Sequence, residues 1–231
     1  MLLNTLTVAA GALGWPCAFG AGAHTAERPV GGFDAVEWDA IGELVIEQRA
    51  TQRLRVQAEP DVLPKILTEV RQRCLYITLA PGRLQTRQPI RIHVDVVSLQ
   101  GLRTLGAGTV HIGELSGDAL ELDLAAPGDV IIAGLNARRL TLRMAGAGDV
   151  RIARGSVDMQ RVVITGSGQY LAPHVASRRS TVSIEGSGNV EVSVRDDLDA
   201  HISGSGEIGY HGAPALRQQV TGAGRVIRLE L

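Results

Sequence analysis

One short motif recurs through the second half of the chain at nearly fixed intervals. Gly-Ala-Gly or Gly-Ser-Gly occupies Gly106–Gly108, Gly146–Gly148, Gly166–Gly168, Gly186–Gly188, Gly204–Gly206 and Gly222–Gly224, with first glycines 40, 20, 20, 18 and 18 residues apart. A degenerate copy, Ala126-Pro127-Gly128, halves the longest interval, so the chain has seven such corners. A repeat of this length, present this often, describes stacked coils that bury a continuous core between neighbours.

The flanks keep the same rhythm. Two residues before each corner stand Thr104, Leu124, Met144, Ile164, Ile184, Ile202 and Val220, all apolar except the threonine. Four residues after each corner's first position stand Val110, Val130, Val150, Tyr170, Val190, Ile208 and Val226. Around these positions the apolar residues alternate: Leu140, Leu142 and Met144 with Thr141 and Arg143, and Val190, Val192 and Val194 with Glu191 and Ser193. A period of two is that of strands, so each coil carries strands on either side of its corner, with inward ladders running along the stack. The sequence therefore predicts an all-β fold, a parallel β-helix or β-solenoid with coils of about 20 and later 18 residues. A third face is expected in arcs such as 134–139 or 174–179. At the corners, the first and third glycines are expected to take positive φ, and the small middle residue to face into a confined stack between copies.

The 28 glycines and 3% aromatic residues suit a narrow interior filled with aliphatic side chains. Residues 30–231 read as one continuous domain, with 101–231 as regular repeats and 30–100 as less regular first coils or a cap. In that first segment "FDAVEWDA", "GELVIEQ", "QRLRVQAE", "CLYITLA" and "PIRIHVDVV" alternate as strands, and "PDVLPKILTEV" reads as a turn or short helical piece. A cap is physically required, because an exposed terminal strand invites edge pairing.

Residues 1–23 read as a secretory signal peptide. No Asp, Glu, Lys or Arg occurs in the first 26 residues, and Ala21-Gly22-Ala23 forms a small-x-small cleavage site, although the n-region carries only the amino terminus as positive charge. Cys17 does not suit a lipidation site, since Trp15-Pro16 is bulky and rigid where small residues belong. Removal of the leader leaves Cys74 alone, without an intrachain disulfide partner, on an alternating strand. No later apolar stretch is long enough to span a membrane as a helix.

The formal charge of −1 gives no electrostatic footprint for nucleic acid. A phosphate-binding loop needs Gly-Lys-Ser/Thr ahead of a helix, whereas the triplets run on into strand. Asp129 and Asp149 repeat at one coil spacing without the nonapeptide period of calcium-binding rolls. His201 and His211, with Asp199, are the nearest approach to a histidine cluster and fall short of a zinc set. The sequence points to no cofactor and no metal. Catalysis on a polysaccharide would draw on Asp196, Asp197 and Asp199 as paired carboxylates, but Phe33, Trp38, Tyr76, Tyr170 and Tyr210 are few for stacking on sugars. The chain therefore reads as non-enzymatic. Arg143, Arg151 and Arg161, outward by alternation, are the candidate contacts for an acidic sugar.

The opening "VGGFDAVEWDAIGELVIEQ", the segment "LRVQAEPDVLPKILTEVRQRCLYITL" and the series "LGAGTVHI", "MAGAGDVRI", "ITGSGQY" and "IEGSGNVEVSV" resemble the putative auto-transporter adhesin head, or head GIN, family over residues 30 to 225. That resemblance implies a bacterial β-solenoid, exported to the periplasm, the cell envelope or the exterior. It also implies an adhesin-like partner, an envelope or surface glycan or protein, and brings no catalytic motif. A purely structural or stress-related envelope role is the alternative.

Overall fold

The computed structural model describes residues 23–230, so the expected leader lies outside the described residues except for Ala23. In chain order the strands are β1 (His24–Arg28), β2 (Ala35–Asp39), β3 (Gly42–Gln48), β4 (Arg53–Ala58), β5 (Ile66–Arg71), β6 (Cys74–Leu79), β7 (Arg91–Val96) and β8 (Gly101–Thr104). The longer strands follow as β9 (Gly108–Leu124), β10 (Asp129–Met144), β11 (Asp149–Ile152), β12 (Gly155–Gly166), β13 (Gln169–Gly186) and β14 (Asn189–Gly204), then β15 (Glu207–His211), β16 (Ala215–Gly222) and β17 (Arg225–Arg228). They form a parallel β-solenoid of about six turns with coils about 20 residues apart.

Each regular coil has three sides. The first face precedes the glycine corner and stacks β2, β8, the C-terminal halves of β9, β10, β12, β13 and β14, and β16. The second follows the corner and stacks β3, the N-terminal halves of β9 and β10, β11, the N-terminal halves of β13 and β14, and then β15 and β17. The third is short, pairing 114–117 with 134–137, and 155–157 with both 135–137 and 175–177. It falls within the arcs expected from the sequence. The inward ladders are buried from Thr104 to Ile202 before the corners and from Val110 to Ile208 after them.

Spatial order departs from chain order at the N-terminal end. β2 lies between β6 and β8, and β3 lies between β7 and β9, so the second coil in sequence stacks outside the first. Antiparallel strands then close that end: β5 turns back on β6, β4 on β7, and β1 on β4. The expected helical piece is a 3-10 turn only, Leu63–Lys65, because "ILTEV" alternates and pairs with β6 as β5. Arg28 ties these pieces together. From β1 its guanidinium donates to the carbonyl oxygens of Leu63 (2.8 Å) and Ile66 and to Thr68 Oγ1 (3.0 Å).

The interior also holds a polar line. Tyr170 Oη donates to Gln160 Oε1 (3.1 Å), Gln160 Nε2 to Ser177 Oγ (2.9 Å), and Ser177 Oγ to the Ser193 carbonyl (2.7 Å). Full burial pushes the Tyr170 phenol pKa upward, and the chain of bonds satisfies polar atoms that would otherwise be costly there.

Candidate functional site

The glycine corners differ from one another in backbone conformation. Positive φ occurs at the first glycine of the last four corners, Gly166, Gly186, Gly204 and Gly222, and at no third position of the seven corners that the sequence shows. The third glycines are required by close approach instead. A Cβ on Gly188 would lie 2.8 Å from the Gly168 carbonyl oxygen, and one on Gly224 would lie 2.7 Å from that of Gly206. The same column continues through Gly148, Gly128 and Gly108 to Gly42. Gly42 belongs to a further corner, Ala40-Ile41-Gly42, which has no Gly-x-Gly signature to reveal it. The middle residues are not confined: Ala107, Pro127, Ala147, Ser167, Ser187, Ser205 and Ala223 are all exposed. Only their neighbours' backbones meet across the stack.

With the interior filled, the accessible surface is the set of outward side chains. Charge on it is arranged in ladders. At the edge between the third and first faces the sequence of coils presents Asp118, Arg138, Asp158, Arg178 and Asp196, alternating in sign. On the first face Glu37, Arg103, Asp123 and Arg143 alternate likewise; Arg103 lies 3.6 Å from Glu37 and 3.4 Å from Asp123, and Arg143 bonds Glu121. These are exposed pairs of modest individual worth, but alternation favours the observed coil order over a one-coil slip that would put like charges together.

Of the three sequence-derived candidates, Arg143 and Arg161 share the first face on adjacent coils. Arg151 lies on the second face, its Nη2 2.9 Å from Asp149 Oδ2. The structure thus brings two together and separates the third. Around Arg161 it adds two residues that single-residue reading missed, Arg139 and Arg179, each facing Met159 from an adjacent coil. The sequence did carry a signal for them: "RR" at 138–139 and again at 178–179 is one repeat position sampled two coils apart. Arg139 and Arg161 are exposed, and among the described residues neither has a carboxylate within 4.0 Å.

The other polar candidates are engaged elsewhere. Hydrogen bonds from Arg195 and then Arg178 hold the Asp196 carboxyl below the usual carboxylate range, so it is unsuited to act as a general acid. Asp197 pairs with Arg179 at 3.4 Å. Asp129 Oδ1 accepts the Asp149 backbone N–H at 3.1 Å. His201 is exposed on the first face, while His211 is buried on the second with Nε2 2.8 Å from Glu191 Oε1. Cys74 is half-buried on β6, where desolvation first and Glu37 second push its thiol pKa up, away from reactive thiolate. No described helix is long and apolar enough to cross a membrane.

A filled three-sided stack whose charged outer strands are its accessible surface defines the class: a parallel β-solenoid. The chain belongs to the family described as "Putative auto-transporter adhesin, head GIN domain", whose model matches residues 32–214. Among solved structures it is similar to a putative adhesin from Bacteroides fragilis, at 22% identity and a TM-score of 0.85 over 91% of this chain and 98% of that one. It is also similar to a putative lipid binding protein from Parabacteroides distasonis, at 22% identity and a TM-score of 0.72 over 91% and 98% of the two chains. A putative adhesin from Parabacteroides merdae matches at 19% identity, with a TM-score of 0.72 over 91% and 97%. At these identities the likeness is one of fold. No curated protein matches the chain.

Proposed function

We propose that this protein is an exported, non-enzymatic β-solenoid of the cell envelope that recognises a surface ligand with an outer strand face. The observation that carries the reading is the pair of unneutralised arginines, Arg139 and Arg161, on adjacent coils of a first face where Arg103, Arg143 and Arg179 are each matched to a carboxylate. A clustered charge with no partner within the chain is available to a ligand. The adhesin names of the family and of the Bacteroides and Parabacteroides proteins agree with a binding role. A structural envelope role is the second reading, and the alternating ladders favour it, because they serve the stack itself.

The two readings separate in one experiment. The chain from His24, which retains β1, is prepared folded and titrated against lipopolysaccharide, peptidoglycan and a panel of surface glycans. Saturable binding to any of them is the expected result. A cooperatively folded chain that binds none of them supports the scaffold instead.

A further inference from the structure

We infer that Arg139, Arg161 and Arg179, arranged around the exposed Met159, form a binding site for a linear polysaccharide bearing carboxylates. This deepens the recognition reading above and rests on it.

The geometry follows from the stack. Arg139, Met159 and Arg179 occupy one outward column on three successive coils, joined by the pairings Arg139↔Met159 and Met159↔Arg179. Coils in hydrogen-bonding contact lie about 4.8 Å apart, so the two arginine backbones are separated by roughly 10 Å. Arg161 is two residues along from Met159 on the middle coil, which sets it about 6.6 Å to the side of that column. The three arginine positions thus flank Met159 on the outer face, and Met159 is 39% exposed. Arg143 borders the array on the coil of Arg139.

Two of the acids near this array sit at its margins: Glu121 holds Arg143 from the N-terminal side, and Asp197 holds Arg179 from the C-terminal side. Asp158 lines the same depression as Met159 and Arg179, between Arg138 and Arg178 in the alternating ladder. Neither Arg139 nor Arg161 is paired with a carboxylate among the described residues, and guanidinium is the side chain best shaped to take a carboxylate with two parallel N–H donors.

The shape selects among anions. Along the stack the outward arginine column recurs every second coil, roughly 10 Å apart, with Arg161 beside the coil between. A polysaccharide lying along the stack with carboxylates at that interval is in step with Arg139 and Arg179, and a charge between them falls toward Arg161. Met159 offers an apolar surface of one side chain, enough to underlie the C–H face of a sugar ring. It is too little for an acyl chain or a row of peptide side chains: the other large hydrophobics exposed among the described residues, such as Ile41, Leu67 and Val97, lie in the N-terminal coils, or, as Leu216 and Val220, on the last.

Polygalacturonate is the direct probe, with dextran as the neutral polymer, phosphatidylglycerol vesicles as the anionic lipid and poly-glutamate as the acidic peptide. The parent chain from His24 is expected to bind polygalacturonate saturably and more weakly as salt rises. The double variant Arg139→Gln/Arg161→Gln is expected to lose about tenfold or more in affinity with an unchanged Tm. Arg53→Gln/Arg83→Gln, at the N-terminal end of the molecule, removes the same two charges from exposed positions and is expected to bind like the parent. Undiminished binding by the double variant overturns the site. Equal binding to dextran, or preference for vesicles or poly-glutamate, overturns the ligand class, as does a folded parent that ignores polygalacturonate. Each of these failures leaves the broader reading standing if lipopolysaccharide, peptidoglycan or a neutral glycan is still bound, and that reading falls only when all are refused.

Discussion

Residues 24–100 and residues 101–228 build one continuous stack by different means. The later segment repeats a single solution: apolar ladders, a glycine column at closest approach, and parallel pairing of each coil with the next. The earlier segment uses singular features. Its coils stack out of chain order, its outer strands run antiparallel, and Arg28 bonds the 3-10 turn and β5 to β1. The opposite end of the stack shows what such closure accomplishes. On β16 every residue is exposed, and Val220 is 39% exposed where the equivalent Ile184 is fully buried. Repetition holds a solenoid together between its ends, and a closed end requires residues that do not repeat.

Breaking the glycine column should have the largest effect. A side chain at Gly148 must meet the Gly128 backbone, and backbone cannot rotate aside as a side chain can. Gly148→Val is expected to cost about 3 kcal/mol or more in urea unfolding. Gly117→Ala, with nothing within 4 Å of the new Cβ, is expected to stay within about 0.5 kcal/mol of the parent. Similar losses at both positions would show that closeness of approach is not what the third glycine provides.

The inward ladder offers a sharper version of the same contrast. Ile184→Ala is expected to lose about 2–5 kcal/mol, because the removed atoms leave a cavity between coils. Val220→Ala, at the equivalent position of the open last coil, is expected to lose less than about 1 kcal/mol. A smaller loss at Ile184 than at Val220 would contradict the burial on which the comparison rests.

At the closed end, Arg28→Ala should destabilise by about 2 kcal/mol, the worth of hydrogen bonds from a charged donor. The effect should be local. Amide hydrogen exchange is expected to accelerate in β1 and β5 while β10 to β14 stay protected. Uniform acceleration would make Arg28 a determinant of the whole stack rather than of its closure.

The smallest effect is one of pH. Burial, followed by the nearby Arg55, lowers the His93 pKa below 6.5. A depressed histidine disfavours its charged form in the folded state, so its contribution is fully present above pH 6.5 and is lost as pH falls through the folded pKa. His93→Gln should flatten the fall of Tm with acidification over that window, and an unchanged slope would assign the acid sensitivity to other groups.

Much of this was legible in the sequence because repetition makes local signals additive. Seven corners, two ladders and a period of two fixed the solenoid, its coil length and the strands of the early segment. The reasons for individual corner residues were not legible. Gly186 needs both a positive φ and close approach to the Gly166 carbonyl, whereas Gly188 needs close approach alone, and only the backbone one coil away decides this. The exposure of Ser187 has the same origin, since the meeting backbones leave its side chain outside.

For the candidate site, residue type and alternation identified Arg143, Arg151 and Arg161 as outward charges but not as neighbours. Only the stacking register places Arg161 beside Arg139 and Arg179 and sends Arg151 to another face. Likewise Asp196 and Asp197 read as paired carboxylates until their arginine partners, 18 residues earlier in the chain, came within reach. The sequence by itself determined the period, the strands and the inward side chains, because these follow from local alternation and from burial. The tertiary structure decided which charges meet, which coil lies outermost and which end is closed, because those depend on contacts between residues a full coil or more apart in the chain.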